Sequence, residues 1–293
     1  MKRWLPFVVL ACVVLVGALV FAQGLDTTLS FEIKPGKTFK QPVPKVNFSP
    51  AQVQKIKAQK PVCLLLPSPS DPELKAGYMA TVMNIDPVTV WWITQDIAHF
   101  HLVDPAYPSS GSLTNRRRSF MPYVFDGAVC SVGNHSYLYQ LLVMPLVEPR
   151  VYTLSRYHNR DGFTWESAWT AASDLYCSDH RNAEMESFFR SAVKITHNNG
   201  CWHIQPVPEA FRTKPEDVLL AYVEYYVDTN PGGNLASIKP IVNKATETAM
   251  PALHKNLLFH AANWETHLKK YHSAADQQRY HSELAAFRQA MGH

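Results

Sequence analysis

Residues 236–271 carry Ile238, Val242, Ala245, Ala249, Leu253, Leu257, Ala261, Trp264 and Leu268 at spacings of three and four. This predicts a helix of about ten turns with one continuous apolar face. A helix of that length with a single greasy stripe is stable only when the stripe lies along an apolar surface of similar extent. The chain upstream of the helix offers such a surface. There the pattern changes to short runs rich in Val, Tyr, Phe, Trp and Leu: residues 120–130, 137–144, 151–158, 163–171, 188–197, 201–206 and 218–228. Such runs read as strands of an antiparallel meander. In the last of them Leu219, Ala221, Val223, Tyr225 and Val227 share one face, with Glu224 and Asp228 on the other. The expected class is α+β, a curved antiparallel sheet whose apolar face is closed by the long helix. Pro251 falls inside that helix and is expected to bend it.

The punctuation between elements is specific. Gly133-Asn134, Asp161-Gly162 and Asn198-Asn199-Gly200 can each supply the positive φ that a hairpin needs. Residues 76–84 alternate as a strand. Asp86 followed by Pro87 is an N-cap and first-turn pair, opening an amphipathic helix to about residue 100 through Val88, Trp91, Trp92, Ile97 and Phe100. A loop follows from Asp104 to Ser112. Further upstream, Ser49 and Pro50 open a short helix over 50–60, preceded by a lead-in in which Pro35, Pro42 and Pro44 discourage long regular elements. Pro67, Pro69 and Pro72 form a second cluster, after which the main domain is expected. The tail keeps a helical pattern in Tyr280, Leu284 and Phe287 but is polar overall. The expected organisation is a leader or anchor at 1–22, an extended lead-in with a short helix at 23–71, the main domain at 72–272 and a polar helical tail at 273–293.

Lys2 and Arg3 precede an uncharged apolar run from Trp4 to Ala22, an export signal with a small-residue cleavage site at Val20 and Ala22. The run also reaches the length of a single membrane span, so an uncleaved inner-membrane anchor at residues 4–22 stays open. Either way the folded part lies outside the cytoplasm, periplasmic or secreted. Beyond the leader stand Cys63, Cys130, Cys177 and Cys201, for which three pairings, or free thiols, are open. A formal charge of +4, with Arg116, Arg117 and Arg118 as the compact basic run, is too little for a nucleic-acid footprint. It can serve a transient contact with an anionic membrane surface.

Several strings, in order, resemble the START-like (SRPBCC, Bet v 1-like) superfamily, and in particular exported bacterial START-domain proteins. "YQLLVMPLVEPRVYTL" (Tyr139 to Leu154) is similar to the segment in which an aromatic-rich strand leads to a proline, and an Arg-aromatic pair opens the next strand; here these are Pro145, Arg150 and Tyr152. "NGCWHIQPV" (Asn199 to Val207), "YYVDTNPGG" (Tyr225 to Gly233) and "FMPYVFDGAV" (Phe120 to Val129) fit other parts of the same pattern, and the match spans about residues 72–270. Where members often carry a proline and tryptophan before "LVN", this chain has Ser237, Ile238, Lys239 and Pro240 before "IVN". The resemblance implies a helix-grip fold with an apolar cavity between the sheet and the long helix. It implies binding and transport of a lipid, sterol, quinone or similar molecule, without enzymatic activity. The same superfamily holds polyketide cyclases and aromatases, which is the alternative function; a membrane-associated interaction module is a third.

Residues expected to line that cavity are Tyr139, Leu141, Val143, Trp165, Trp169, Val193, Ile195, Val223, Tyr225, Val242, Met250 and Leu253. Arg150 and Arg156 either pair with Glu166 or Glu224, or Arg150 orients a ligand head group. Thirteen histidines include His260 and His267 at a spacing that puts two rings on one side of a helix, but no carboxylate or cysteine sits with them in the pattern of a metal site. No GxSxG or Gly-rich phosphate loop occurs. No metal, cofactor or catalytic residue is expected.

Overall fold

The computed structural model describes residues 28–31, 38–96, 150, 154–171 and 192–292, together with the backbone of strand residues 32–34, 37, 123–126, 130–132, 135–143 and 151–153. The leader, the expected loop at 104–112, the Arg116–Arg118 run, Cys177 and the Gly133-Asn134 turn lie outside the described residues. A first hairpin joins β1 (Leu29–Lys34) and β2 (Lys37–Gln41). All other strands enter one ten-stranded sheet: β3 (Val62–Pro67), β4 (Lys75–Met83), β5 (Tyr123–Asp126), β6 (Cys130–Val132), β7 (His135–Val143), β8 (Arg150–Asp161), β9 (Thr164–Ala171), β10 (Val193–Lys194), β11 (His197–Pro206) and β12 (Ala221–Asn230). The order across the sheet is β3-β4-β12-β11-β9-β8-β7-β5, with β6 on β7 and β10 on β8. Every pairing is antiparallel except the short β10–β8 contact.

Helix starts follow from local chemistry. α1 (Pro50–Lys57) is capped by Ser49, and the amide of Ser49 in turn donates to Gln52 Oε1 at 2.8 Å, closing a capping box. α2 (Pro87–Gln95) starts on Asp86, whose Oδ1 accepts from the Thr89 amide at 2.7 Å. The expected continuation of α2 through Ile97 and Phe100 lies outside the described residues. The long helix α3 runs from Lys239 to Tyr271, and α4 from Ala274 to Ala290.

The turn expected at Asn198-Asn199-Gly200 is corrected. These residues sit inside β11, opposite Thr229, Asp228 and Val227 of β12. Gly200 is needed for a different reason: a Cβ there would collide with the ring of Trp169 and with the Tyr226 carbonyl. The Asp161-Gly162 turn is present, with Gly162 at φ 56° between the paired Asp161 and Thr164.

Alternation divides the sheet into two faces. The inner face carries Met79, Met83, Leu154, Trp165, Trp169, Trp202, Ile204 and Val223, and is covered by α2, α3 and α4. On the outer face Tyr78, Ala80, Val82, Cys201, Tyr222 and Tyr226 pack beneath Leu29, Phe31, Phe48 and Ile56. Residues 28–57 are therefore a covering layer with a hairpin of its own, where the sequence predicts an extended lead-in. β3 pairs with β4 from Val62↔Ala80 to Pro67↔Lys75, so the sheet begins ahead of the expected boundary at residue 72. The tail is likewise part of the core, since Tyr280 and Phe287 are buried in the inner cluster. The physical reason is shared. The central strands are buried on both faces, and each face needs an apolar cover.

Candidate functional site

The inner face is lined by aromatic rings held at fixed angles. The Trp202 and Tyr225 centroids are 4.3 Å apart, and Trp169 lies 5.8 Å from Tyr225. Trp169 Nε1 donates to Asn198 Oδ1 at 3.0 Å, which fixes the ring over Gly200. Opposite, Gly77 of β4 lets α3 approach closely, because a Cβ there would meet Met250 Sδ at 2.9 Å and Thr246 at 3.1 Å.

The buried side of α3 is Val242, Met250, His254, Leu257, His260, Trp264, His267 and Leu268. Ala245 and Ala249, drawn into the stripe from sequence, are exposed, as are Ile238 and Ile241. Three buried histidines take part of the face instead. His254 Nε2, Trp264 Nε1 and Trp165 Nε1 are buried without a hydrogen-bond partner. Burial holds the His254 imidazole below its ordinary pKa, so its neutral form is favoured.

Of the residues expected to line a cavity, Trp165, Trp169, Val223 and Met250 are buried in the inner cluster, with Tyr225 and Leu253 packed against it. Val242 is buried on α3, Ile195 is buried next to β10, and Val193 approaches Gly232. Tyr139 and Leu141 pair with Thr153 and Val151, and Val143 with Tyr123; along β7 these positions alternate with Leu138, which pairs with the inner-face residue Leu154. Arg150 is fully buried, its Nε donating to the Pro231 carbonyl at 3.0 Å. Arg156 donates to Ser167 Oγ at 3.1 Å and to the Thr94 carbonyl at 3.3 Å. The carboxylates considered for these arginines stand on the outer face. Glu166 lies 3.3 Å from His203 Nδ1, and Glu224 accepts from the Tyr78 hydroxyl.

Cys63 and Cys201 are free thiols on opposite faces, separated by β4 and β12. Burial pushes both thiols up, most strongly at Cys201, where Glu224 and Glu166 add to it.

A second arrangement was not legible from spacing. Asp96, the C-cap residue of α2, meets His267 and His272 at the elbow between α3 and α4. An open pocket of about 330 Å³ beside it is lined by Trp91, Trp92, Gln95, Asp276, Arg279 and Glu283 as well as Asp96 and His272. The histidine signal was visible in sequence, but its carboxylate partner is 171 residues away from His267.

The sequence matches no protein-family model and no curated protein. Among solved structures it is similar to human STARD10, with 14% identity, coverage of 72% of this chain and 73% of that chain, and a TM-score of 0.50. A STAR-related lipid transfer protein fragment from Xanthomonas axonopodis matches at 12% identity over 66% of this chain and 92% of that chain, TM-score 0.41. The Zhui aromatase/cyclase from Streptomyces sp. R1128 matches at 8% identity over 64% and 93%, TM-score 0.34. The likeness to STARD10 shows the fold: a START-like helix-grip, α+β, with an antiparallel sheet closed by a long C-terminal helix.

Proposed function

We propose that this helix-grip fold binds an apolar small molecule, a lipid, sterol, quinone or similar, between the inner face of the sheet and α3, and carries it without changing it chemically. The observation that supports the reading is the chemistry of the inner side. Its wall is apolar and aromatic, yet His254 Nε2 and Trp264 Nε1 are buried there without protein partners. A buried polar group left unpaired costs about 1–3 kcal/mol. A mostly apolar ligand with one oxygen at its end recovers that cost, which is how apolar pockets orient their ligands with few polar groups.

Native mass spectrometry on gently purified protein tests this. The expected spectrum shows a bound apolar molecule, and His254→Phe lowers the bound fraction several-fold while leaving the unfolding midpoint unchanged or higher. A purely apo spectrum, together with no uptake of lipid from vesicles, overturns the proposal. Recovery of the molecule in an altered form replaces the carrier reading with the cyclase or aromatase one.

The reading includes export. Residues 1–22 act as a cleaved leader, or residues 4–22 as an inner-membrane anchor, and the mass of the protein in the periplasmic fraction distinguishes the two. Arg116, Arg117 and Arg118 make the transient contact with anionic membrane, so their replacement by serine lowers liposome binding at low salt.

A further inference from the structure

Three side chains of metal-ligating type converge where the end of α2 meets the α3–α4 elbow. Asp96 Oδ2 lies 2.5 Å from His267 Nε2 and 3.1 Å from His272 Nε2. All three ligand atoms fall within 4.8 Å of one another. The side chains are only 8%, 3% and 14% exposed, so the cluster is a built interior feature rather than a chance meeting on the surface.

Both rings present the same nitrogen to the same carboxylate oxygen. A tetrahedral zinc ion with bonds of about 2.0–2.1 Å separates its ligand atoms by about 3.3–3.4 Å. The Asp96–His272 distance is already close to this. The Asp96–His267 distance needs to open by less than about 1 Å to match the same geometry. Two imidazoles and one carboxylate select a first-row transition ion of the zinc type, because calcium and magnesium prefer oxygen ligands throughout.

The surroundings hold the rings in place. The Trp264 ring stacks on His267 at 5.4 Å and 26°, and meets His272 edge-on at 5.6 Å. Asp96 and His272 face the pocket of about 330 Å³, which provides an entry path and solvent for the remaining coordination position. Asp276 and Glu283 also line it.

We propose that Asp96, His267 and His272 bind one divalent transition-metal ion of the zinc type, which ties α2 to the elbow between α3 and α4. The site adjoins the apolar-ligand reading through Trp264 but does not depend on it. The competing arrangement is a metal-free clasp, in which the carboxylate accepts a hydrogen bond from His267 Nε2–H and lies 3.1 Å from His272 Nε2.

The test is titration of the chelator-treated full chain with Zn²⁺ and, for its visible spectrum, Co²⁺. One equivalent binds, the cobalt complex shows the d–d bands of a low-symmetry site with nitrogen ligands, and Zn²⁺ raises the unfolding midpoint. His272→Gln and Asp96→Asn each weaken binding by about tenfold or more. His281→Gln, half-exposed on α4 and 3.8 Å from Glu265, leaves it unchanged. Circular dichroism verifies that the variants fold, and the wild-type cobalt spectrum reads the site without any variant. Absence of stoichiometric uptake by the wild type, or equal uptake by both folded variants, overturns the site and leaves the clasp.

Discussion

Gly200 shows what a single residue decides. In sequence, Asn198-Asn199-Gly200 has turn composition, yet the glycine serves close approach: Trp169 and the Tyr226 carbonyl occupy the space of a Cβ. Gly200→Ala is expected to destabilise by about 2–3 kcal/mol through overpacking, measured as a drop in urea midpoint. Gly162→Ala meets open space and carries only the strain of its positive φ, about 1–2 kcal/mol. His254 makes a pH prediction with a definite sign. Its folded pKa lies below the ordinary value, so the unfolded chain binds more protons in acid. The contribution to stability is complete above the ordinary histidine pKa and is lost as pH falls through the folded one. The urea midpoint therefore drops between pH 7 and pH 5, and His254→Phe shrinks that drop. Ser49 and Asp86, by contrast, were legible as caps, because the bonds they make close within three residues.

Among the elements, α4 departs most from its sequence pattern. It reads as a polar tail because its buried positions are few, but those few are large. Phe287 is fully buried and meets Phe163 edge-on at 5.2 Å, while the Tyr280 hydroxyl shares a 2.8 Å hydrogen bond with Thr89 Oγ1. Phe287→Ala is expected to cost about 3–5 kcal/mol, read from denaturant unfolding, where an exposed tail would show no change. α3 was legible as a helix from its 3.6-residue period, yet its buried side is shifted from the drawn stripe. Alanines count as apolar in a periodicity and cost little when exposed. Histidines count as polar and are buried here where rings pack against them.

For the molecule as a whole, the covering of both sheet faces sets what can fold alone. Residues 28–57 bury Phe31, Phe48 and Ile56 against the outer face. A chain beginning at residue 28 is expected to be soluble and to unfold like the longer protein. A chain beginning at residue 72 lacks both this layer and the edge strand β3, and is expected to aggregate on size-exclusion chromatography. By itself the sequence determined the class, the long closing helix, the helix starts and the Asp161-Gly162 hairpin, since each depends on periodicity or on bonds between near neighbours. Tertiary structure alone decided that the lead-in is a layer and the tail a core helix. It also decided that Glu224 and Asp228 are buried, Glu224 against Tyr78 and Asp228 against the half-buried His197, and that Asp96 meets two histidines. Those outcomes rest on contacts between distant segments, which enter no local pattern and appear only once the faces of the sheet have chosen what covers them.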